Sequence, residues 1–208
     1  MSKKNNIPAL PEVMIRPHIQ AALLEDFGTG GDITSRACFL NKENVKAELV
    51  ARESGRLSGL QAALLTFKEV DSDVEINAQL KEGSDFMPGM VLAEISGSVS
   101  SVLSAERVAL NYLTHLSAIA SYTARAVQII EQAGSETRIA ATRKTMPGLR
   151  ALQKQAVLHG GGWPHRIATI APARCTEPRQ SALPRAVNRA PSSRARQRPQ
   201  RTAASPCK

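Results

Sequence analysis

The sequence predicts an α/β protein, on three observations. Apolar residues alternate with polar ones in several short runs between residues 45 and 95, which is the period of half-buried strands. From residue 104 the period changes to helical. A β-prone run, a Pro-Gly turn and a second helix then follow over residues 137–159, and helix, strand, helix is the rhythm of a β/α architecture. We therefore divide the chain into a helix and small α+β unit at 1–103, the beginning of a β/α unit at 104–166, and a tail at 167–208.

Pro17 suits the first turn of a helix, where its missing N–H costs nothing, and Ile19, Ala22, Leu23 and Phe27 follow at helical spacing. Gly28, Gly30 and Gly31 end that helix. They come after a helix rather than after a strand, so a turn is the better reading than a phosphate cradle. Val45, Ala47, Leu49 and Ala51 give one strand, and Arg56–Leu60 is expected to begin a second. Gln61–Val70 reads as a short helix with Leu64, Leu65 and Phe67 inward. Val74, Ile76, Ala78 and Leu80 alternate again, as do Val91, Ala93 and Ile95.

Ser104 is the expected N-cap of the next helix, with Glu106 in its first turn. Val108, Tyr112, Leu116 and Ile119 form its apolar stripe. Arg107 and Asn111 lie four apart on a polar line that faces water, a ligand or another subunit. His115 reads as a packing or surface histidine. The helix is expected to run to Gln132, with a bend near Ser117–Ala120, and to stop at Gly134. Thr137–Thr142 is the expected strand. In the helix that follows, Leu149, Leu152 and Ala156 mark the buried face and Arg150 and Lys154 the polar side.

The chain has 208 residues and a formal charge of +9. Residues 167–208 hold nine of the Lys and Arg and a single acid, Glu177, so the first 166 residues carry only +1. The tail also holds six of the twelve prolines and only four residues from the Leu, Ile, Val, Phe set. Such a composition buries too little apolar surface to offset its ordering entropy, and disorder is the expectation. Phosphate binding by its arginines is a rival reading, but no aromatics are interleaved for base stacking. Cys38, Cys175 and Cys207 show neither CxxC pairing nor metal-ligand spacing, which fits a reducing, cytoplasmic location. No apolar run reaches the roughly 18 residues that span a bilayer.

The stretch with chemical content is Ala141–Arg150, ATRKTMPGLR. Thr142, Arg143 and Lys144 close the expected strand, and ligands of α/β proteins bind outside the carboxyl ends of strands. Two fixed cations there make an anion pocket; a solvated basic loop before a helix is the alternative.

GDITSRA (31–37), SAERVALNYLTHLSAIAS (104–121), TRKTMPGLRALQKQAV (142–157) and GGGWPHR (160–166) together resemble the quinolinate phosphoribosyltransferases, also called nicotinate-nucleotide pyrophosphorylases (carboxylating). The resemblance runs from about Pro8 to Arg166. It implies an N-terminal α+β sandwich domain followed by an open α/β barrel, of which 104–166 is the incomplete start. It implies the conversion of quinolinate and phosphoribosyl pyrophosphate, with Mg²⁺, to nicotinate mononucleotide, carbon dioxide and pyrophosphate, by a homodimer. By resemblance Thr142, Arg143, Lys144, His165 and Arg166 line the quinolinate pocket and Arg107 reaches into the partner's site. Arg forks suit paired carboxylates, and fixed cations stabilise the charge that develops as one carboxylate leaves, so no acid/base pair is assigned.

The chain departs from that pattern. Ala141 stands where the family has Asp, Gln155 where it has Tyr, and Trp163-Pro164 where it has Asn before His-Arg. After Ile167 neither the family's Lys-[Asp/Glu]-Asn-His motif nor its acids for Mg²⁺ and phosphoribosyl pyrophosphate follow. A frameshift near Trp163 and an inactive product are the expectations. The rival is a non-enzymatic remnant with a basic tail that binds nucleic acid without sequence preference.

Overall fold

The computed structural model describes residues 7–39 and 43–164. Helix α1 spans Glu12–Phe27, α2 Ile33–Cys38, α3 Leu60–Val70, α4 Val99–Gln132 and α5 Arg150–His159. Strands β1 (Asn44–Val50), β5 (Val91–Ser98) and β3 (Glu75–Ala78) form an antiparallel sheet in the order β1-β5-β3. Ile95 at its centre faces Ala47 on one side and Ile76 on the other. Strands β2 (Gly55–Arg56) and β4 (Asp85–Phe86) make a separate antiparallel pair. The mixed α/β architecture agrees with the sequence reading. The strand expected from Arg56 is shorter, because Gly59 turns the chain with φ +87° and Leu60 already opens α3. Residue 59 has to be glycine for a second reason: a Cβ there would sit 2.7 Å from Leu116.

Two apolar clusters share α4. In the first, Leu57, Phe67, Val74 and Ile95 pack against Val102, Ala105, Ala109 and Leu113. In the second, Ile15, Ile19 and Leu23 of α1 and Ala62 and Leu65 of α3 meet Val108, Tyr112 and Leu116, with Leu152 and Ala156 of α5. The α4 members of the two clusters are spaced three or four apart on adjoining stripes, so one helix serves both cores. The expected boundary at 103/104 therefore falls inside a continuous element.

Several expectations are corrected. Helix α1 starts at Glu12, after Pro11, and Pro17 lies inside it. Proline is tolerated there because it and Val13, whose carbonyl loses its donor, are both exposed and water can replace the bond. The glycine turn leads into a helix that sequence periodicity missed, the six-residue α2; Asp32 caps it by accepting from Ser35 N at 2.9 Å. Helix α4 begins at Val99 rather than Ser104. Its N-cap is Ser98, which accepts from Ser101 N at 3.1 Å, and Ser104 Oγ instead donates to Asp32 Oδ2 at 2.6 Å. The helix runs unbroken through Ser117–Ala120 to Gln132, and Gly134 follows its end with φ +65°.

Thr137–Thr142 does not form a strand. It keeps one parallel bridge, Ala140 to Trp163, made by Trp163 N donating to Ile139 O at 2.7 Å and Ala141 N to Trp163 O at 3.0 Å. Among the described residues no second pairing extends the bridge into a parallel ladder. His165, Arg166 and the tail at 167–208 lie outside the described residues. Among the described residues no helix is long and apolar enough to cross a membrane.

Candidate functional site

The Thr142–Arg150 segment leaves the parallel bridge and enters α5. Ala141, just before it, is buried, whereas Thr142, Arg143 and Lys144 are exposed. Thr142 Oγ1 accepts from Lys144 N at 2.9 Å, which curls the backbone across Arg143. Met146 O then accepts from Leu149 N at 3.2 Å across a turn in which Gly148 holds φ +81°. From the other side, Arg150 Nε donates to Thr145 Oγ1 at 3.1 Å.

Gln153 fixes the turn to the rest of the fold. It is buried, its Oε1 accepts from Met146 N at 3.1 Å, and its amide donates to His115 Nε2 at 2.9 Å. His115 thus takes the packing role expected of it, as a brace between α4 and α5. The sequence reading had not assigned Gln153 any part.

Lys154 corrects the expectation of a polar side on α5: it is 4% exposed. Burial lowers its pKa, and Arg150 one turn back and Arg143 in the loop add to the effect. A lysine buried beside two arginines raises the positive potential where Arg143 stands. The signal available in the sequence was the Arg150–Lys154 spacing of four, which places like charges on one stripe.

Arg107 is exposed on α4. Among the described residues no salt bridge joins Arg107, Arg143 or Lys144 to an acid; the ion pairs there are those of Arg16 with Glu12 and Glu69, Arg56 with Asp85, and His159 with Glu82. Three cations without acid partners fit an anion better than a charge-balanced surface does. The structure thus brings Thr142, Arg143 and Lys144 together, and Arg107 stands on a separate element. Among the described residues no group of three or more His, Cys, Asp or Glu side chains could hold a metal ion.

A groove of about 2080 Å³ lies elsewhere, between β1, β2 and the outer face of α4. It is lined by Leu49, Phe86, Leu110, Tyr122 and Gly161 among others and by none of the three cations.

Comparison with known proteins bears on the family of the chain and on its fold. Residues 32–117 match the quinolinate phosphoribosyl transferase N-terminal domain, and residues 119–170 match the C-terminal domain of the same family. The chain is 41% identical over 144 residues to a probable nicotinate-nucleotide pyrophosphorylase [carboxylating] of Bacillus subtilis, which covers 69% of this chain and 48% of the relative. It is 36% identical over 160 residues to quinolinate phosphoribosyltransferase [decarboxylating] 1b of Nicotiana tabacum, covering 77% and 45% respectively. Among solved structures, NadC from Streptococcus pyogenes superposes with a TM-score of 0.72 at 40% identity, over 76% of this chain and 56% of that one. The nicotinate-nucleotide pyrophosphorylase from Francisella tularensis gives 0.73 at 32% identity, over 81% and 58%. The chain spans about half the length of the curated relatives it matches.

Proposed function

The chain belongs to the quinolinate phosphoribosyl transferase family, and from that premise we propose that its exposed cations are the dicarboxylate-holding part of a quinolinate site. The observation that carries the reading is Arg143 and Lys144, consecutive, exposed and, among the described residues, without a salt bridge to an acid, just after the bridged Ile139–Ala141 segment. Quinolinate presents two adjacent carboxylates. Arg143 grips one as a fork, Lys144 serves the other as a point charge, and the Thr142 hydroxyl adds a donor. Buried Lys154 strengthens the field without needing to touch the ligand. Arg107 is assigned to the same anion, reaching it from a second copy of the chain in a homodimer; His165 and Arg166 complete the set by resemblance.

The reaction proposed for the lineage joins quinolinate to the ribose of phosphoribosyl pyrophosphate, releases pyrophosphate, loses one ring carboxylate as carbon dioxide, and takes up a proton from solvent at the ring carbon so vacated to give nicotinate mononucleotide. The cations hold the negative charge that the departing carboxylate leaves behind. The division into an N-terminal module and a barrel start belongs to the same proposal, as does a cytoplasmic location.

Calorimetry with pyridine-2,3-dicarboxylate and pyridine-3-carboxylate tests the reading. The dicarboxylate is expected to bind more tightly. Arg143→Gln should weaken it about tenfold or more, the worth of a charge-assisted hydrogen bond, and leave the ligand-free melting midpoint unchanged. Equal affinity for the two acids, or indifference to the variant, would sink the proposal. Turnover is a separate question. We expect none from the 208-residue chain, and formation of nicotinate mononucleotide would refute that.

A further inference from the structure

The anion site makes no use of a second polar cluster, where the C-terminal end of α5 meets the β2–α3 corner. His159, the last residue of α5, is 4% exposed. Its Nδ1 lies 2.9 Å from Ser58 Oγ and 3.5 Å from Glu82 Oε2. Its carbonyl accepts from Arg56 Nη1 at 3.3 Å, and Arg56 Nε donates to Asp85 Oδ1 at 2.7 Å. Glu82 Oε1 accepts from Gln61 N at 2.9 Å, whereas its Oε2 is buried and has no hydrogen-bond partner among the described residues. Helix α4 closes the cluster with hydroxyls. Ser117 Oγ accepts from Ser58 N at 3.1 Å and donates to Ser58 O at 2.9 Å, and Ser121 Oγ accepts from Arg56 N at 2.8 Å.

The chain that leaves His159 has little freedom. A Cβ at Gly160 would sit 2.5 Å from Ala120 O, so that residue is pressed against α4, and Gly161 turns with φ +85°. The next residues deliver Trp163 to its bridge with Ala140. What holds His159 therefore also sets where the barrel start is pinned.

We propose that Ser58, Glu82 and His159 form a proton-operated latch that fixes the end of α5, and through it the Gly160–Trp163 segment, to the N-terminal part of the fold. In the neutral Nε2–H tautomer that the latch requires, Nδ1 accepts from the Ser58 hydroxyl. Protonation turns Nδ1 into a donor and places a cation in a closed space. Arg56 and Asp85 face His159 from β2 and β4, Glu82 faces it from the intervening turn, α4 offers only Ser117 and Ser121, and Lys154 lies on the same helix.

Burial lowers the His159 pKa from 6.5 to about 4. The closed latch therefore has its full advantage above pH 6.5, and loses it as pH falls from 6.5 towards 4, by a factor of about ten per pH unit. Glu82 runs the other way. Burial raises its pKa, so the closed latch holds that proton more tightly than the open one, and acid favours closure through Glu82. The two buried groups lie 3.5 Å apart and titrate as a pair, and it is the proton on the imidazole that opens the latch.

Trp163 is the only tryptophan, which makes the test direct. Its emission is followed from pH 7.5 to 4 in the full chain, beside far-ultraviolet circular dichroism. A red-shifting step below pH 6.5, with helix content kept, is expected of the parent chain and of Glu82→Gln, and no step of His159→Gln, whose amide takes no proton. The same step in His159→Gln, or no step in the parent, would overturn the proposal. If His159→Gln does not fold, the ring C–H resonance of His159 in the parent decides. Silence down to the emission step supports the latch, and titration near 6.5 in the folded chain refutes it.

Discussion

Residues 44–98 and 137–163 both carry β-prone sequence, yet only the first became a sheet. Strand β5 has a partner on each side, β1 and β3, and the sheet is covered by Phe67, Val102 and Leu113 from α3 and α4. Among the described residues Ile139–Ala141 has one partner residue, Trp163, and forms a bridge. Strand preference is a preference for a paired, half-buried setting and is weak without it. Stability should then be concentrated in the first region. Phe67 is 1% exposed, and Phe67→Ala should cost about 3–5 kcal/mol in urea unfolding, the usual loss for a buried aromatic. Trp163, 43% exposed, should cost well under half of that when replaced by Ala. Comparable losses would mean that the barrel start belongs to the same cooperative core.

That contrast also marks what was legible. Alternation at Val45–Leu49 and the Val108, Tyr112, Leu116 stripe report a local period and came out as read, whereas Val91–Ile95 is a strand in which Leu92 is buried beside Ala93 and the alternation is broken. Thr142, Arg143 and Lys144 emerged exposed together because they are consecutive and polar. Lys154 was misplaced because its burial is decided by where α5 packs, which no window on α5 encodes. The Ser58–His159 contact joins residues 101 apart, and neither end carries a local signal.

The two ends of the α4 N-terminal region separate a cap from a tie. Ser98→Ala removes the N-cap and should lower stability by about 1 kcal/mol. Ser104→Ala should cost less, because it leaves the cap intact and loosens only α2 through Asp32. It also has its own signature. The Ser104 hydrogen bond is the first cause of the lowered Asp32 pKa, followed by the bonds from Ser35. The stability that Asp32 adds is present above its ordinary pKa and is lost as pH falls below it. Ser104→Ala should therefore flatten the acid limb of the stability curve, whereas Ser98→Ala should shift the whole curve. The reverse assignment would restore Ser104 as the cap.

The smallest effect is expected at the barrel start itself. The Arg138 guanidinium lies 4.5 Å from the centre of the Trp163 ring, and both side chains are exposed. A solvated pair of this kind contributes roughly 0.5–1 kcal/mol, and only to the segment that contains it. Arg138→Gln should shift the emission of Trp163 at pH 7.5, since the stacked charge is gone, and leave the urea midpoint followed by circular dichroism at its parent value. A midpoint that fell as far as in Phe67→Ala would erase the distinction between the two regions. An emission unchanged by the substitution would mean that Arg138 does not rest on the ring in solution, and that among the described residues the two hydrogen bonds of the Ala140–Trp163 bridge and the packed Gly160 turn hold residue 163.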